Sequence, residues 1–288
     1  MNDQISIILP AKNEARALET FLPKLRQLYP DAQILVINDG SIDDTKEVCL
    51  SNSVEVVSHA YSIGNGAAIK SGVRAAKGNI LVFMDADGQH EPDDIDKLVV
   101  AINKGFDMAV GSRSASSQAS VGRLCANTFY NWFASQIVGQ KIDDLTSGFR
   151  AAKADKFKMF LYLLPNGFSY PTTSTMAFFR SGFQVTYVPI NVKERIGKSH
   201  IKLLKDGIRF LLILFKIGTL YSPLKIFFPF SSCIFFTGVM YYGYTYLTMG
   251  RFTNMSALLI TTAITIFLMG LVSEQVTSLM YSRSNDSD

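Results

Sequence analysis

From residue 5 onward the chain alternates between two kinds of hydrophobic spacing. "ISIILPA" is a short apolar run that stops at Pro10. "AKNEARALETFLPKLRQLY" then puts Ala17, Leu18, Phe21, Leu22, Leu25 and Leu28 at the spacing of one helical face. "QILVIND" predicts a second strand, and "SIDDTKEVCLS" a helix with Ser41 as its N-cap. "VEVVSH" predicts a third strand, "NGAAIKSGVRAAKG" a helix ending at Gly78, and "NILVFMD" a fourth strand. Strands that read as apolar runs, each followed by a helix, make an α/β domain with a largely parallel sheet covered on both faces.

Beyond about residue 200 the pattern changes. No charged residue lies between Lys225 and Arg251, nor between Arg251 and Glu274. Each gap is long enough for the roughly 20 residues that carry a helix across the hydrocarbon core. Tyr241, Tyr242, Tyr244 and Tyr246 crowd one end of the first gap, as in an interfacial belt, and "TMGRFTN" reverses the chain. The competing expectation is a buried helical hairpin in a soluble fold. Glu274 and Gln275 stand near the end of the second span, in reach of headgroups or of a neighbouring helix. "IKLLKDGIRFLLILFKIGTLYSP" mixes basic positions with apolar ones at helical spacing and reads as an interfacial helix. Lys198, Lys202, Lys205, Arg209, Lys216 and Lys225 precede the first span and Arg283 follows the second, while the link carries only Arg251. The positive-inside rule then expects a multi-pass protein of the cell (inner) membrane with both termini cytoplasmic.

Composition narrows the classes further. The 28 basic and 24 acidic residues leave a net charge of +4, with no basic run interleaved with aromatics, so nucleic acid is not an expected partner. Cys49, Cys125 and Cys233 are far apart, which excludes a disulfide scaffold or a zinc knuckle. Met1 to Gln4 is polar and Ile5 to Leu9 is too short for an h-region, so no signal peptide is expected.

The candidate chemistry stands at the strand ends, where ligands bind in sheets of this kind. Pro10, Ala11, Asn13 and Glu14 follow the first strand, Asn38, Asp39, Gly40 and Ser41 the second, and Asp85, Asp87 and Gln89 the fourth. Neither GxGxxG after the first strand nor GxxxxGK[ST] occurs, so this is neither a dinucleotide fingerprint nor a P-loop. "GNGAAIKSG" is weak as a phosphate loop. An oxygen-rich site suits a hard cation, Mg²⁺ or Mn²⁺, which takes one or two carboxylates plus substrate phosphates. Alternation along an extended segment turns Asp85 and Asp87 to one side, with Gln89 in the same parity and Ala86 turned away. His90 reads as a structural hydrogen-bonder.

"ILPAKNEA", "VINDGSIDDT", "GNGAAIKSG", "FMDADGQHEP", "VGSR", "DLTSGFRA" and "RIGKSHIK" occur in an order that resembles family 2 glycosyltransferases of the GT-A fold. The chain is most similar to the polyprenyl-phosphate branch, which includes dolichol-phosphate mannose synthase and bacterial undecaprenyl-phosphate relatives. The resemblance implies a GT-A (Rossmann-like) nucleotide-sugar-binding domain with a mixed, mostly parallel sheet over residues 1–200, juxtamembrane amphipathic helices over 201–224 and a transmembrane hairpin over 225–281. It implies a nucleotide pocket lined by Pro10, Ala11, Asn13, Glu14, Ile37, Asp39, Asp85 and Ala86, with Asp39 near the base or ribose. Asp85, Asp87 and Gln89 would hold the metal on the diphosphate, and Asp87, Arg113 and Arg150 would serve catalysis. Arg113, Arg123 and Asn127 would sit around the acceptor phosphate, and Arg195 and Ser199 on a loop closing over the donor. Lys12 stands where relatives often carry an aromatic residue, and His200 where many carry lysine.

The activity implied is metal-dependent, inverting transfer of a sugar from a UDP- or GDP-linked donor to a polyprenyl phosphate, by a membrane protein that forms oligomers in related cases. A processive polysaccharide synthase shares the fold, but it resembles a Q-x-x-R-W signature with more spans, whereas the single tryptophan here is Trp132. An inactive membrane scaffold that binds nucleotide is the third reading, and the intact Asp85, Asp87, Arg113 and Arg150 weigh against it.

Overall fold

The computed structural model describes residues 4–113, 121–167, 169–190, 215 and 218–285, apart from the side chains of 121–126 and 280–285. The chain divides into two compact units, residues 1–136 with 140–202, and residues 137–139 with 203–288.

The first unit is built on a seven-stranded sheet of β1 (Ile5–Ala11), β2 (Gln33–Asn38), β3 (Glu55–Ser58), β4 (Ile80–Phe83), β5 (Met108–Arg113), β6 (Arg150–Lys153) and β7 (Val185–Ile190), in the order β3-β2-β1-β4-β6-β5-β7. All pairings are parallel except those of β6, which runs antiparallel to both β4 and β5. The sheet is therefore mixed and mostly parallel, with strands such as β2 buried at every position. α1 (Ala15–Leu28), α2 (Thr45–Ser51), α3 (Asn65–Ala75) and α4 (Ile95–Asn103) connect the first five strands. α1 buries Leu18, Phe21, Leu22 and Leu25, four of the six apolar positions whose spacing predicts it. α5 (Val121–Val138), α6 (Ala154–Lys158) and α7 (Tyr170–Arg180) complete the unit.

The chain winds outward from β1 through β2 to β3, then returns to place β4 on the other flank of β1. Connections thus diverge on either side of β1 and leave a crevice at the carboxyl ends of β1 and β4, where open α/β sheets bind ligands. The three strand ends singled out by the sequence, those of β2, β1 and β4, are neighbours in that order.

Ser41 does not cap α2, which begins at Thr45. The β2–α2 loop serves α1 instead, because no side chain of α1's own caps its first turn. Ser41 Oγ accepts from Asn13 N at 2.9 Å, Thr45 Oγ1 from Glu14 N at 3.1 Å and Asp43 Oδ2 from Ala15 N at 3.1 Å. Three N–H groups at the start of α1 are satisfied across space by one acidic, hydroxyl-rich loop.

The second unit is a hairpin of α8 (Pro223–Met249) and α9 (Asn254–Asn285). Pro223–Met249 and Asn254–Leu279 are each long and apolar enough to cross a bilayer. Phe230, Phe236, Met240, Leu247, Leu258, Leu268 and Val272 are exposed, so the hairpin does not bury its own apolar surface as a soluble helical core would. Glu274 reaches the neighbouring helix: its Oε2 accepts from Leu224 N at 3.2 Å. Ser222 offers α8 no side-chain cap and Pro223 at its first position has no N–H, so Leu224 is the first donor in need of a partner.

Candidate functional site

At the crevice between β1 and β4 lies a cavity of about 470 Å³, lined by Pro10, Ala11, Lys12, Glu14, Asp39, Ser62, Gly64, Asn65, Ala68, Asp85, Ala86 and Asp87. That is a size suited to a small ligand. Asp85 and Asp87 are half-buried on its wall, while Ala86 between them is 2% exposed and packs in the core. The alternation expected from the strand thus continues past the end of β4. Gly88 takes φ +73°, and Gln89 N donates to Asp87 Oδ1 at 3.2 Å. The Gln89 backbone orients Asp87, and Gln89 is not among the lining residues.

Among the described residues no group of three or more His, Cys, Asp and Glu converges to enclose a metal. Two carboxylates opening on a cavity are the donor set of a Mg²⁺ or Mn²⁺ ion that takes its other ligands from substrate phosphate and water, so the residues fit such an ion.

Asp39 meets the cavity differently from the expectation. Its carboxylate is 5% exposed and accepts four bonds, from His59 Nδ1 at 2.7 Å, Ser62 Oγ at 2.8 Å, Ile63 N at 2.9 Å and Gly64 N at 2.9 Å. Burial works to raise its pKa, but the four donors outweigh burial and hold it at about 2. Two carboxylate oxygens have about four acceptor sites, and all are used within the protein. Asp39 lines the cavity with a carboxylate already engaged by four donors of the protein, and so anchors the pocket wall.

Two other residues expected in the pocket are displaced from it. Ile37 is wholly buried in β2, and Asn13 is taken up in the join of the two loops, its Oδ1 accepting from Ile42 N at 2.9 Å. In exchange the cavity gains Lys12, whose Nζ donates to Ser62 Oγ at 3.1 Å, and Ser62, Gly64, Asn65 and Ala68. The amino end of α3 is no phosphate cradle: Gly66 N and Ala67 N donate to Gly167 O at 3.1 Å and Asn166 O at 2.8 Å.

Arg113 ends β5 and is held by a carboxylate that the sequence reading passes over. Its Nε and Nη2 donate to Asp144 Oδ2 and Oδ1 at 2.8 and 2.9 Å, and Nη2 also reaches Thr146 Oγ1 at 2.7 Å. Burial opposes the charges of both groups, but each partner outweighs it, raising the Arg113 pKa and lowering that of Asp144. Nη1 has no partner among the described residues, and Asp85 acts on the guanidinium through its charge. A fork fixed along one edge, with its other nitrogen unbonded among the described residues, is suited to an anion.

Arg150 requires a correction. It is fully buried, and its guanidinium donates to Ser147 O, Pro171 O, Ser174 Oγ and Thr175 Oγ1, the last three at 2.9, 2.8 and 3.1 Å. A side chain so enclosed ties the Ser147–Phe149 turn to α7 and does not line the cavity. Tyr170 Oη grips the same turn through Gly148 O at 2.9 Å. The turn backs the acidic pair directly, since a Cβ on Gly148 would stand 2.8 Å from Asp85 Oδ2. His90 stacks on Phe149 with ring centroids 4.8 Å apart, and burial lowers its pKa to about 4, so it is a neutral strut beside the acidic loop.

Asn127 is half-buried on α5, and Arg123 lies one helical turn before it with its side chain outside the described ones. Arg195, Ser199 and His200, with most of the expected interfacial helix, lie outside the described residues.

A sheet of this order with two carboxylates opening on a cavity at its switch point defines the GT-A class of α/β domain. The chain belongs to glycosyltransferase family 2: residues 6–161 match "Glycosyl transferase family 2", and residues 222–279 match "GtrB C-terminal hairpin". Polyprenol monophosphomannose synthase of Mycolicibacterium smegmatis is 31% identical over 204 residues, which are 66% of this chain and 77% of the relative. Undecaprenyl-phosphate mannosyltransferase of Micrococcus luteus is 29% identical over 211 residues, 68% of this chain and 86% of the relative. Glucosyl-3-phosphoglycerate synthase of Mycobacterium tuberculosis, solved with phosphoglyceric acid, has a similar fold with a TM-score of 0.63 at 20% identity, over 75% of this chain and 80% of that one. The same enzyme solved with Mn²⁺, UDP-glucose and phosphoglyceric acid gives a TM-score of 0.61 at 21% identity, over the same shares.

Proposed function

We propose that this chain transfers a sugar from a nucleoside-diphosphate donor, UDP-linked in the first instance, to a polyprenyl phosphate at a membrane surface. The observation that carries the reading is the pair Asp85 and Asp87 on the wall of a cavity at the β1/β4 switch point. The two relatives named above act on polyprenol and undecaprenyl phosphates, and the hairpin match supports the lipid-phosphate branch over a processive synthase.

A divalent ion held by Asp85 and Asp87, with Gln89 beside them, would neutralise the diphosphate of the departing nucleotide. The chain's own residues do the rest. The cavity positions the donor against Lys12, Asn65 and Ala68. Arg113 offers Nη1, which has no partner among the described residues, to the incoming lipid phosphate, with Arg123 and Asn127 on the helix that follows. An oxygen of that phosphate, already anionic near neutral pH, forms a bond to the anomeric carbon. The bond from that carbon to the diphosphate breaks, and the nucleoside diphosphate leaves with the electron pair. Attack opposite the leaving group inverts the configuration, and no general base is required. The basic stretch before α8 supports a cytoplasmic catalytic unit on the inner membrane, by the positive-inside rule.

The test is to incubate the membrane-embedded chain with labelled UDP- and GDP-sugars and undecaprenyl phosphate. Expected is a glycolipid from one donor, dependent on Mg²⁺ or Mn²⁺ and lost in Asp87→Ala while the variant still inserts and folds. Undiminished transfer by Asp87→Ala would defeat the assignment.

A further inference from the structure

We propose that His59 is a positioning residue for the donor pocket, the middle member of a Ser71–His59–Asp39 relay that fixes the loop bearing Ser62 and Gly64 on the cavity wall. The inference rests on reading that cavity as the nucleotide-donor pocket. His59 directly follows β3, and its side chain is only 9% exposed. Its backbone N donates to Asn38 O at 2.9 Å, which sets the ring beside the end of β2. Nδ1 lies 2.7 Å from Asp39 Oδ1, and Nε2 lies 2.9 Å from Ser71 Oγ on α3.

The chemistry orders the protons along this line. An ionised carboxylate only accepts, so Nδ1 carries a hydrogen. The other ring nitrogen, Nε2, pairs with the Ser71 hydroxyl, which can donate or accept. The imidazole thereby links α3 to a carboxylate whose three other bonds all go to one loop, through Ser62 Oγ, Ile63 N and Gly64 N. That loop also presses on Gly40 from above. Gly40 has φ +66°, and a Cβ there would lie 2.6 Å from Ser62 N, so the loop occupies space that any side chain at position 40 would take from it. Ser62 carries the position across the cavity to Lys12, through the 3.1 Å bond from Lys12 Nζ. His59 is absent from the cavity lining, whereas Ser62, Gly64 and Lys12 are on it. Its influence therefore runs through Asp39 and reaches donor binding, while the Arg113 fork is held by Asp144 and Thr146.

Side-chain amides separate this role from simple packing. The amide nitrogen of Asn falls near Nδ1 of the imidazole and can still donate to Asp39, whereas that of Gln falls near Nε2 and meets Ser71 instead. The experiment titrates UDP, and in parallel GDP, each with Mn²⁺, into the full-length chain in detergent. It then measures donor KM and kcat with the sugar donor that the wild type uses. Loss of one charge-assisted hydrogen bond to the loop's anchor predicts a rise of about tenfold in Kd and donor KM for His59→Ala, with kcat within about twofold. His59→Asn should stay within about threefold of wild type, and His59→Gln should behave like His59→Ala. Unchanged affinity in a folded His59→Ala would overturn the proposal. Rescue by Gln but not by Asn would also overturn it, because His59 would then only prop α3. Should His59→Ala fail to fold, the Asn and Gln variants decide the matter between them. A wild type that binds neither nucleotide refutes the reading of the cavity itself, an outcome distinct from variants that match a binding wild type.

Discussion

Asp144 offers the sharpest perturbation of the site, because it holds Arg113 and also organises the turn that backs Asp85. Its carboxylate accepts from Arg113 Nε and Nη2 at 2.8 and 2.9 Å and from Thr146 N and Ser147 N, each at 3.1 Å. Removing one member of a fully buried ion pair costs about 3–5 kcal/mol, mostly because the other charge is stranded. The Arg113 side chain keeps 30% exposure, so water recovers part of its solvation, and the expected loss for Asp144→Ala is about 2–3 kcal/mol. Asp144→Asn keeps an oxygen for the two turn N–H groups, but it drops the charge and sets an NH2 donor against Arg113 Nε where Oδ2 accepted, so most of that loss is expected to remain.

Activity should fall faster than stability. With the fork no longer fixed along one edge, the guanidinium loses its aim, and transfer by Asp144→Asn should drop at least tenfold in protein that remains folded. Arg113→Ala should lose about a hundredfold or more, the scale for one preorganised donor at a developing charge. Urea unfolding of the full chain in detergent, together with initial transfer rates, provides both readings. The decisive measurement is the double-mutant cycle of Arg113→Ala and Asp144→Ala, with an expected coupling of about 2 kcal/mol. If the two losses add to within about 0.5 kcal/mol, the pair does not act as a unit and the reasoning is refuted.

Glu274→Ala leaves Leu224 N without its acceptor at the start of α8 and should lower stability in detergent by about 1–2 kcal/mol, with Glu274→Gln largely restoring it; equal stability of wild type and Glu274→Ala would show that solvent or headgroups serve the helix end as well. Asp39 has its folded pKa lowered to about 2 from an ordinary 3.8, so its contribution of about 2 kcal/mol is present above pH about 4 and is lost as pH falls through 2. Denaturation of wild type against Asp39→Asn between pH 6 and pH 2 should show the stability difference shrinking only below about pH 4. A difference that is flat across that range would mean that the carboxylate is not ionised by its four donors.

What the sequence made legible was whatever depends on period and on strand ends. Apolar runs and helical faces placed β1 to β4 and α1, and uncharged gaps placed the hairpin, because burial and bilayer thickness act on consecutive residues. Asp85 and Asp87 were legible for the same reason: alternation carries them to one side, and the structure keeps Ala86 in the core between them. The relation of β6 to its neighbours was not legible. Its antiparallel pairing with β4 and β5 depends on where a four-residue strand falls after a long crossover, which no local pattern states.

The site residues that the sequence missed or misassigned share one property, which is that their meaning lies in a partner distant along the chain. Arg150 after a tight turn looks like a ligand-binding arginine, and only the packing of α7, 21 to 25 positions later, shows its Nη1 engaged by Pro171 O, Ser174 Oγ and Thr175 Oγ1. Asp144 looks like a turn residue until β5 brings Arg113 to it across 31 positions. Asp39 looks like a free carboxylate at a strand end until the loop after β3 supplies four donors. Charge and position nominate a residue for chemistry, but its capacity to meet a substrate depends on which of its hydrogen-bonding sites the fold leaves open. By that measure Arg113, with one edge held by Asp144 and Nη1 unbonded among the described residues, is better suited to an incoming phosphate than Arg150, whose guanidinium is spent on the protein itself.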